Sequence, residues 1–147
     1  MASKISKFTS DRNPKSRISV VPTNVLTTLL MQIEITQHRG HTLAEVTSTP
    51  IQNPQEALEI LINCAYQGAE KIIIHADQLM PDFFDLKTGI AGEILQKVST
   101  YQLRLAIVGD FSQYNSKSLQ DFIFESNKVG RVNFVASVEE AKERLCA

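Results

Sequence analysis

The chain has 147 residues and a mass of 16.4 kDa, with 43% hydrophobic and 21% charged residues, enough for one domain with its own core and too short for two ordinary ones. A formal charge of −1 and a pI near 6.3 give no reason to expect nucleic acid, whose recognition needs a basic surplus on one face. No apolar run approaches the roughly 18 residues of a membrane span. Cys64, Cys146, His38, His41 and His75 fall into no zinc or disulfide spacing, so no metal and no cofactor is expected and both thiols read as buried or incidental.

Charge is unevenly spread along the chain. Residues 1–30 hold Lys4, Lys7, Arg12, Lys15 and Arg17 against Asp11 alone, which leaves the remainder net acidic. The stretch 18–30 is broken by Pro22, Asn24 and threonines, which argues against the apolar segment of a targeting peptide. Residues 1–30 are therefore expected to be a disordered basic extension, with a start at Met31 opening a single domain over 31–147; an organellar presequence is the competing reading.

From Met31 the punctuation is regular. Gln32-Ile33-Glu34-Ile35-Thr36 alternates with period two, His38-Arg39-Gly40-His41 turns the chain, and Thr42-Leu43-Ala44-Glu45-Val46 resumes the alternation, so a β-hairpin is expected. Asn53-Pro54-Gln55-Glu56 places a cap, a first-turn proline and a capping-box acid ahead of Ala57, Leu58, Leu61, Ile62 and Ala65 at helical spacing, and Gly68 closes that helix. Ile72-Ile73-Ile74 has no alternation and should be covered on both faces. A helix with Ile90, Ile94, Leu95 and Val98 inward, a strand over 103–108, a helix over 118–128 with Leu119, Phe122 and Ile123 on one side, and a strand over 132–135 follow. Ser137-Val138-Glu139-Glu140 then opens a terminal helix through Leu145. The order is β-β-α-β-α-β-α-β-α: an α/β fold with a mixed sheet of about five strands, antiparallel in the first hairpin and parallel thereafter.

Between the isoleucine strand and the next helix lies Pro81-Asp82-Phe83-Phe84-Asp85-Leu86-Lys87-Thr88-Gly89-Ile90-Ala91-Gly92. Loops leaving the carboxyl ends of parallel strands are where ligands and partners dock. The neighbouring loop, beginning Gly109-Asp110-Phe111-Ser112, should flank it, with Asp110 and Ser112 as a second wall. Phe83 and Phe84 suit a protein hot spot if exposed and otherwise plug the edge of the core, the commoner outcome. Gly89 and Gly92 are read as letting the helix pack closely on the sheet. Asp82, Asp85 and Glu93 bring no second ligand cluster and read as solvated carboxylates, and His75 reads as a hydrogen-bonded rim residue.

The stretches 63–73, 81–97, 105–112 and 121–123 resemble a bacterial family known as domain of unknown function 4180, over residues 31–145. The resemblance implies a small, cytoplasmic, single-domain protein and brings no agreed activity. More remotely, the element order, the phrase from Ile72 to Leu95 and the closing Phe134-Val135-Ala136-Ser137-Val138-Glu139-Glu140-Ala141 are similar to STAS domains, the anti-sigma-factor-antagonist fold. That similarity implies a STAS-like domain and a candidate switch. Regulatory STAS domains carry Asp-Ser-Ser-Gly after the corresponding strand and accept phosphate on the serine before glycine. Here Asp85 and Thr88-Gly89 hold similar places, with one extra residue between acid and hydroxyl, Lys87 for a serine, and threonine for the acceptor. Capping by Thr88 or Asp85 is the plainer reading of the same residues.

No Gly-x-Ser-x-Gly elbow, P-loop or full dinucleotide fingerprint is present. The expectation is a non-enzymatic regulatory or interaction module that presents Asp82, Phe83, Phe84, Asp85, Lys87, Thr88 and Gly89, flanked by Asp110 and Ser112, to a protein partner, with Thr88 as candidate phosphorylation site. The alternative is a small enzyme or ligand binder using His75, Asp85, Thr88, Asp110 and Ser112 in a cleft between the 75–92 and 109–117 loops. No residue pattern sets the oligomeric state or the partner's identity.

Overall fold

The structure, a computed structural model, describes residues 33–47 and 50–147. The expected basic extension and the boundary at Met31 lie outside the described residues. Nine regular elements follow the expected order among them: β1 (Ile33–His38), β2 (His41–Val46), α1 (Pro54–Tyr66), β3 (Lys71–His75), α2 (Ile90–Thr100), β4 (Arg104–Val108), α3 (Lys117–Val129), β5 (Val132–Val135) and α4 (Val138–Leu145). The strands lie in one sheet in chain order, β1 antiparallel to β2 and every later pair parallel. Arg39 and Gly40 form the two-residue hairpin turn, both with positive φ, the backbone geometry that matches the twist of the paired strands.

A sheet wound in one direction by right-handed crossovers carries its crossover helices on one face. The larger buried cluster accordingly joins α1, α2 and α3 to the side chains of Ala44, Val46, Ile72, Ile74, Leu105, Ile107 and Phe134. Alternate residues of the same strands, Leu43, Ile73, Ala106 and Val135, point to the other face and meet Ala141, Leu145 and Cys146 of the terminal helix segment. All three isoleucines of β3 are therefore buried, as their lack of alternation requires, each contributing about 2 kcal/mol relative to exposure. The inner stripe of α1 is rotated from the expected one. Ala57, Ile60, Leu61 and Cys64 are buried, while Leu58, Ile62 and Ala65 are only half-buried, because the sequence pattern allows either apolar flank and the tilt of the helix on the sheet selects one.

Helix starts are set by side chains legible in the sequence. Asn53 Oδ1 accepts from the Glu56 N–H at 2.9 Å, and Ser137 Oγ from the Glu140 N–H at 3.1 Å. In both, the reciprocal glutamate reaches one residue further than a capping box requires: Glu56 accepts from the Gln52 N–H and Glu140 from the Ala136 N–H.

Cys64 is fully buried and unbridged, and burial pushes its thiol pKa up to about 12, because the thiolate has no solvation there. The folded chain thus keeps a proton that an unfolded cysteine releases near about 8.5. The stabilisation is complete below that pH and is lost progressively as pH rises toward 12. At pH 8, native protein should leave Cys64 unmodified by an aromatic disulfide reagent, with full reaction on addition of denaturant. Rapid labelling of Cys64 under native conditions would contradict this burial.

Candidate functional site

The chain does not pass from β3 into α2 by an open loop. It turns through three short 3-10 segments, Ala76–Gln78, Pro81–Phe84 and Leu86–Thr88, before α2 begins at Ile90. Phe83 and Phe84 fix the middle segment. Phe83 is fully buried and Phe84 nearly so, with ring centroids 5.0 Å apart at a 71° interplanar angle. Phe84 stacks on Tyr114 at 4.9 Å and 18°, and Phe83 lies 6.5 Å from Phe134. Phe111 in turn meets Phe134 edge-on at 5.2 Å. These rings lock the 81–89 segment to the loop after β4, and such pairs add about 0.5–1.5 kcal/mol each beyond their burial. Of the expected contact set, Phe83 and Phe84 therefore turn inward and plug the core edge.

Their burial leaves Asp82, Asp85, Lys87, Thr88 and Gly89 exposed as an ordered ledge. The Thr88 hydroxyl lies 2.8 Å from the carbonyl oxygens of both Asp82 and Asp85, to which it can donate, and accepts from the Ile90 N–H at 3.3 Å. Asp85 Oδ1 accepts from the Lys87 N–H at 3.2 Å. Thr88 and Asp85 thus staple the 3-10 turns. The cap of α2 itself is Gly89, whose φ of 77° places it in the left-handed region that only glycine adopts without strain. The expected close packing at Gly92 is not found: Gly92 is exposed, and a Cβ there would meet nothing within 4 Å. A small residue at that spacing records tolerance of solvent rather than an approach to the sheet.

Of the expected flanking wall, Asp110 lines the depression between the two loops, and Ser112 supports Asp110 rather than lining it. Asp110 Oδ1 accepts from the Ser112 hydroxyl at 2.6 Å and the Ser112 N–H at 3.1 Å, and these two bonds, the hydroxyl first, hold the carboxyl below its ordinary range. Partial burial raises the Tyr114 phenol. Gly109 lies close against the neighbouring loop, since a Cβ built there would sit 2.5 Å from the Ala76 Cβ. Between the loops is a surface depression of about 560 Å³, lined by His75, Asp77, Leu79, Phe84, Asp110 and Tyr114 among others. It brings His75 and Asp110 together, while Asp85, Thr88 and Ser112 do not line it. His75 Nε2 is 2.8 Å from Glu45 Oε2, the hydrogen-bonded rim role expected of it. Sequence reasoning missed Glu45 and Gln78. Gln78 accepts from the His75 N–H and donates to the Val46 carbonyl. Glu45 is brought near His75 by the parallel pairing of β2 with β3, whereas Gln78, three residues along the chain in the turn after β3, is a local partner.

Among the described residues no group of three or more His, Cys, Asp or Glu is placed to hold a metal ion, and no helix is long and apolar enough to cross a membrane.

Fold and site together define a three-layer α/β domain with an ordered, exposed ledge and an adjoining depression at the carboxyl edge of its sheet. The chain belongs to the family described as domain of unknown function 4180, whose model matches residues 38–145. A solved structure from Thermotoga maritima, provisionally described as an anti-sigma factor antagonist, is a remote match at TM-score 0.47 and 14% identity, covering 80% of this chain and 96% of that one. No curated protein matches the sequence.

Proposed function

We propose that this domain is a non-enzymatic regulatory module that presents the 81–92 segment and the start of α2 to a protein partner. The supporting observation is the ledge itself. Two buried aromatics and a threonine staple hold Asp82, Asp85 and Lys87 exposed in one arrangement, so little ordering entropy remains to be lost on docking. Thr88 is the switch in this reading. Phosphorylation would remove the hydroxyl proton that serves the Asp82 and Asp85 carbonyls and set roughly two negative charges against them. The staple would open and the ledge would change shape as well as charge, while the free N–H groups at the start of α2 offset part of the repulsion.

Protein purified from its own host should co-purify with a specific partner and carry phosphate on Thr88 in part of the population, both read by mass spectrometry. Asp85→Ala and Thr88→Glu should each weaken capture by about tenfold or more, the loss typical of a central contact. A measurable turnover abolished by Asp85→Ala, with no partner retained, would replace this reading with the enzymatic one.

A further inference from the structure

We infer that the depression beside the ledge docks a lysine- or arginine-rich segment of a partner protein, a conclusion that rests on the interaction-module reading and names the chemistry its partner must carry. Leu79, Phe84, Val108 and Tyr114 supply the apolar part of its lining, and Asp77 and Asp110 bring two carboxylates to it. Among the described residues no lysine or arginine lines it.

The topology explains this one-sidedness. All parallel strands end at the same edge, and the described cations gather at the opposite one: Lys71, Arg104 and Arg131 near the strand starts, Lys97, Lys128 and Arg144 toward the helix ends. At the carboxyl edge stand Lys87, on the ledge, and Lys117, which is 2.9 Å from its own partner Asp121. Part of the pattern is ordinary helix-dipole matching, since Glu56, Glu93 and Glu139 lie in first helical turns. Asp77 and Asp110 are outside that explanation, because neither lies in an α-helix. Asp77 is exposed and has no hydrogen bond or ion pair among the described residues. Both bonds to the Asp110 carboxyl go to a single oxygen, Oδ1, and Ser112 holds that carboxyl below its ordinary range. Apolar side chains beside two exposed carboxylates are complementary to a side chain with a long alkyl stem and a cationic head, which lays its methylenes on the apolar part and its charge against the carboxylates. Tyr114 adds an aromatic face for the cation.

The probe is a fluorescein-labelled octapeptide of alternating lysine and leucine, titrated into the full chain by anisotropy at low and physiological salt, with a glutamate-leucine peptide of the same length in parallel. The basic peptide should bind, weaken with salt, and shift backbone amide resonances around Asp77 and Asp110. Asp77→Asn combined with Asp110→Asn should reduce its affinity roughly tenfold, the loss of two charges, whereas Lys128→Gln at the far edge should not. Equal binding by the double variant, resonance shifts confined to other surfaces, or preference for the acidic peptide would overturn the inference. Failure of the peptide arm while a native partner is still captured through Asp85 and Thr88 would sink this docking chemistry alone. Loss of both would sink the module reading with it.

Discussion

Replacing Phe83 by alanine should cost about 3–5 kcal/mol of folding stability, the range for truncating a fully buried aromatic. Phe83 is completely buried and touches the edge of Phe84 and the tilted ring of Phe134, so truncation removes transfer energy and leaves a cavity that neighbouring rings, already constrained by each other, can only partly fill. The damage should also be local. With Phe83 gone, only the less buried Phe84 ring still anchors the Pro81–Phe84 turn, and the Thr88 hydroxyl loses the fixed position of the Asp82 carbonyl. Denaturant unfolding should show a lower midpoint, and amide exchange should speed up first across residues 81–89. Phe124→Ala is the matched control, because Phe124 is 63% exposed and its loss should stay within about 0.5 kcal/mol. An unfolding midpoint for Phe83→Ala equal to that of Phe124→Ala would show that the aromatic plug is not what orders the ledge.

That contrast also shows what the sequence can and cannot reveal. The helical spacing of Leu119, Phe122 and Ile123 already puts Phe124 outside, whereas Phe83 and Phe84 sit in a short 3-10 turn with no such period, and only the packing of β4, β5 and the neighbouring loop decides that they are inside. The order of elements was legible because each boundary is written locally. Asn53 and Ser137 cap helices through their own side chains, and Ile72-Ile73-Ile74 lacks alternation because both sheet faces are covered. The left-handed Gly89 and the exposed Gly92 look equivalent as letters, yet one is required by its φ and the other by nothing in its surroundings. Glu45 reaches His75 across 30 residues of sequence, a pairing visible only once β2 and β3 are known to be neighbours. The staple at Thr88 was half legible. A hydroxyl before glycine signalled a local cap, but its two shorter bonds go to the 3-10 turns preceding the helix, and only the longer one, from the Ile90 N–H, serves the helix itself.

A second large effect is expected far from the ledge, at Asn133, which is 1% exposed in the last strand. Its amide nitrogen donates to the Gly130 carbonyl at 2.9 Å, and its oxygen accepts from Arg144 Nε at 2.9 Å. Arg144 Nη2 continues to the Asn127 carbonyl at 2.7 Å, and the Asn127 side chain closes the circuit on the Phe134 backbone, accepting from its N–H at 2.7 Å. Arg104 supports the same corner by donating to the carbonyls of Gly130, Arg144 and Leu145. Two guanidinium groups are thereby held against the carboxyl ends of α3 and α4, where the helix dipoles favour positive charge. Asn133→Ala removes the acceptor from one of them and leaves a charged donor unmatched, so the loss should exceed that of an ordinary hydrogen bond and reach about 2–4 kcal/mol. Because a network is coupled, the penalties of Asn133→Ala and Arg144→Met should not add. A double-mutant cycle should return an interaction of about 1–3 kcal/mol, with amide exchange rising along α4 in each variant. Strict additivity would mean that Arg144 finds other acceptors at no cost, and that α4 is held to the sheet by its apolar contacts and Arg104 without the Asn133 bond.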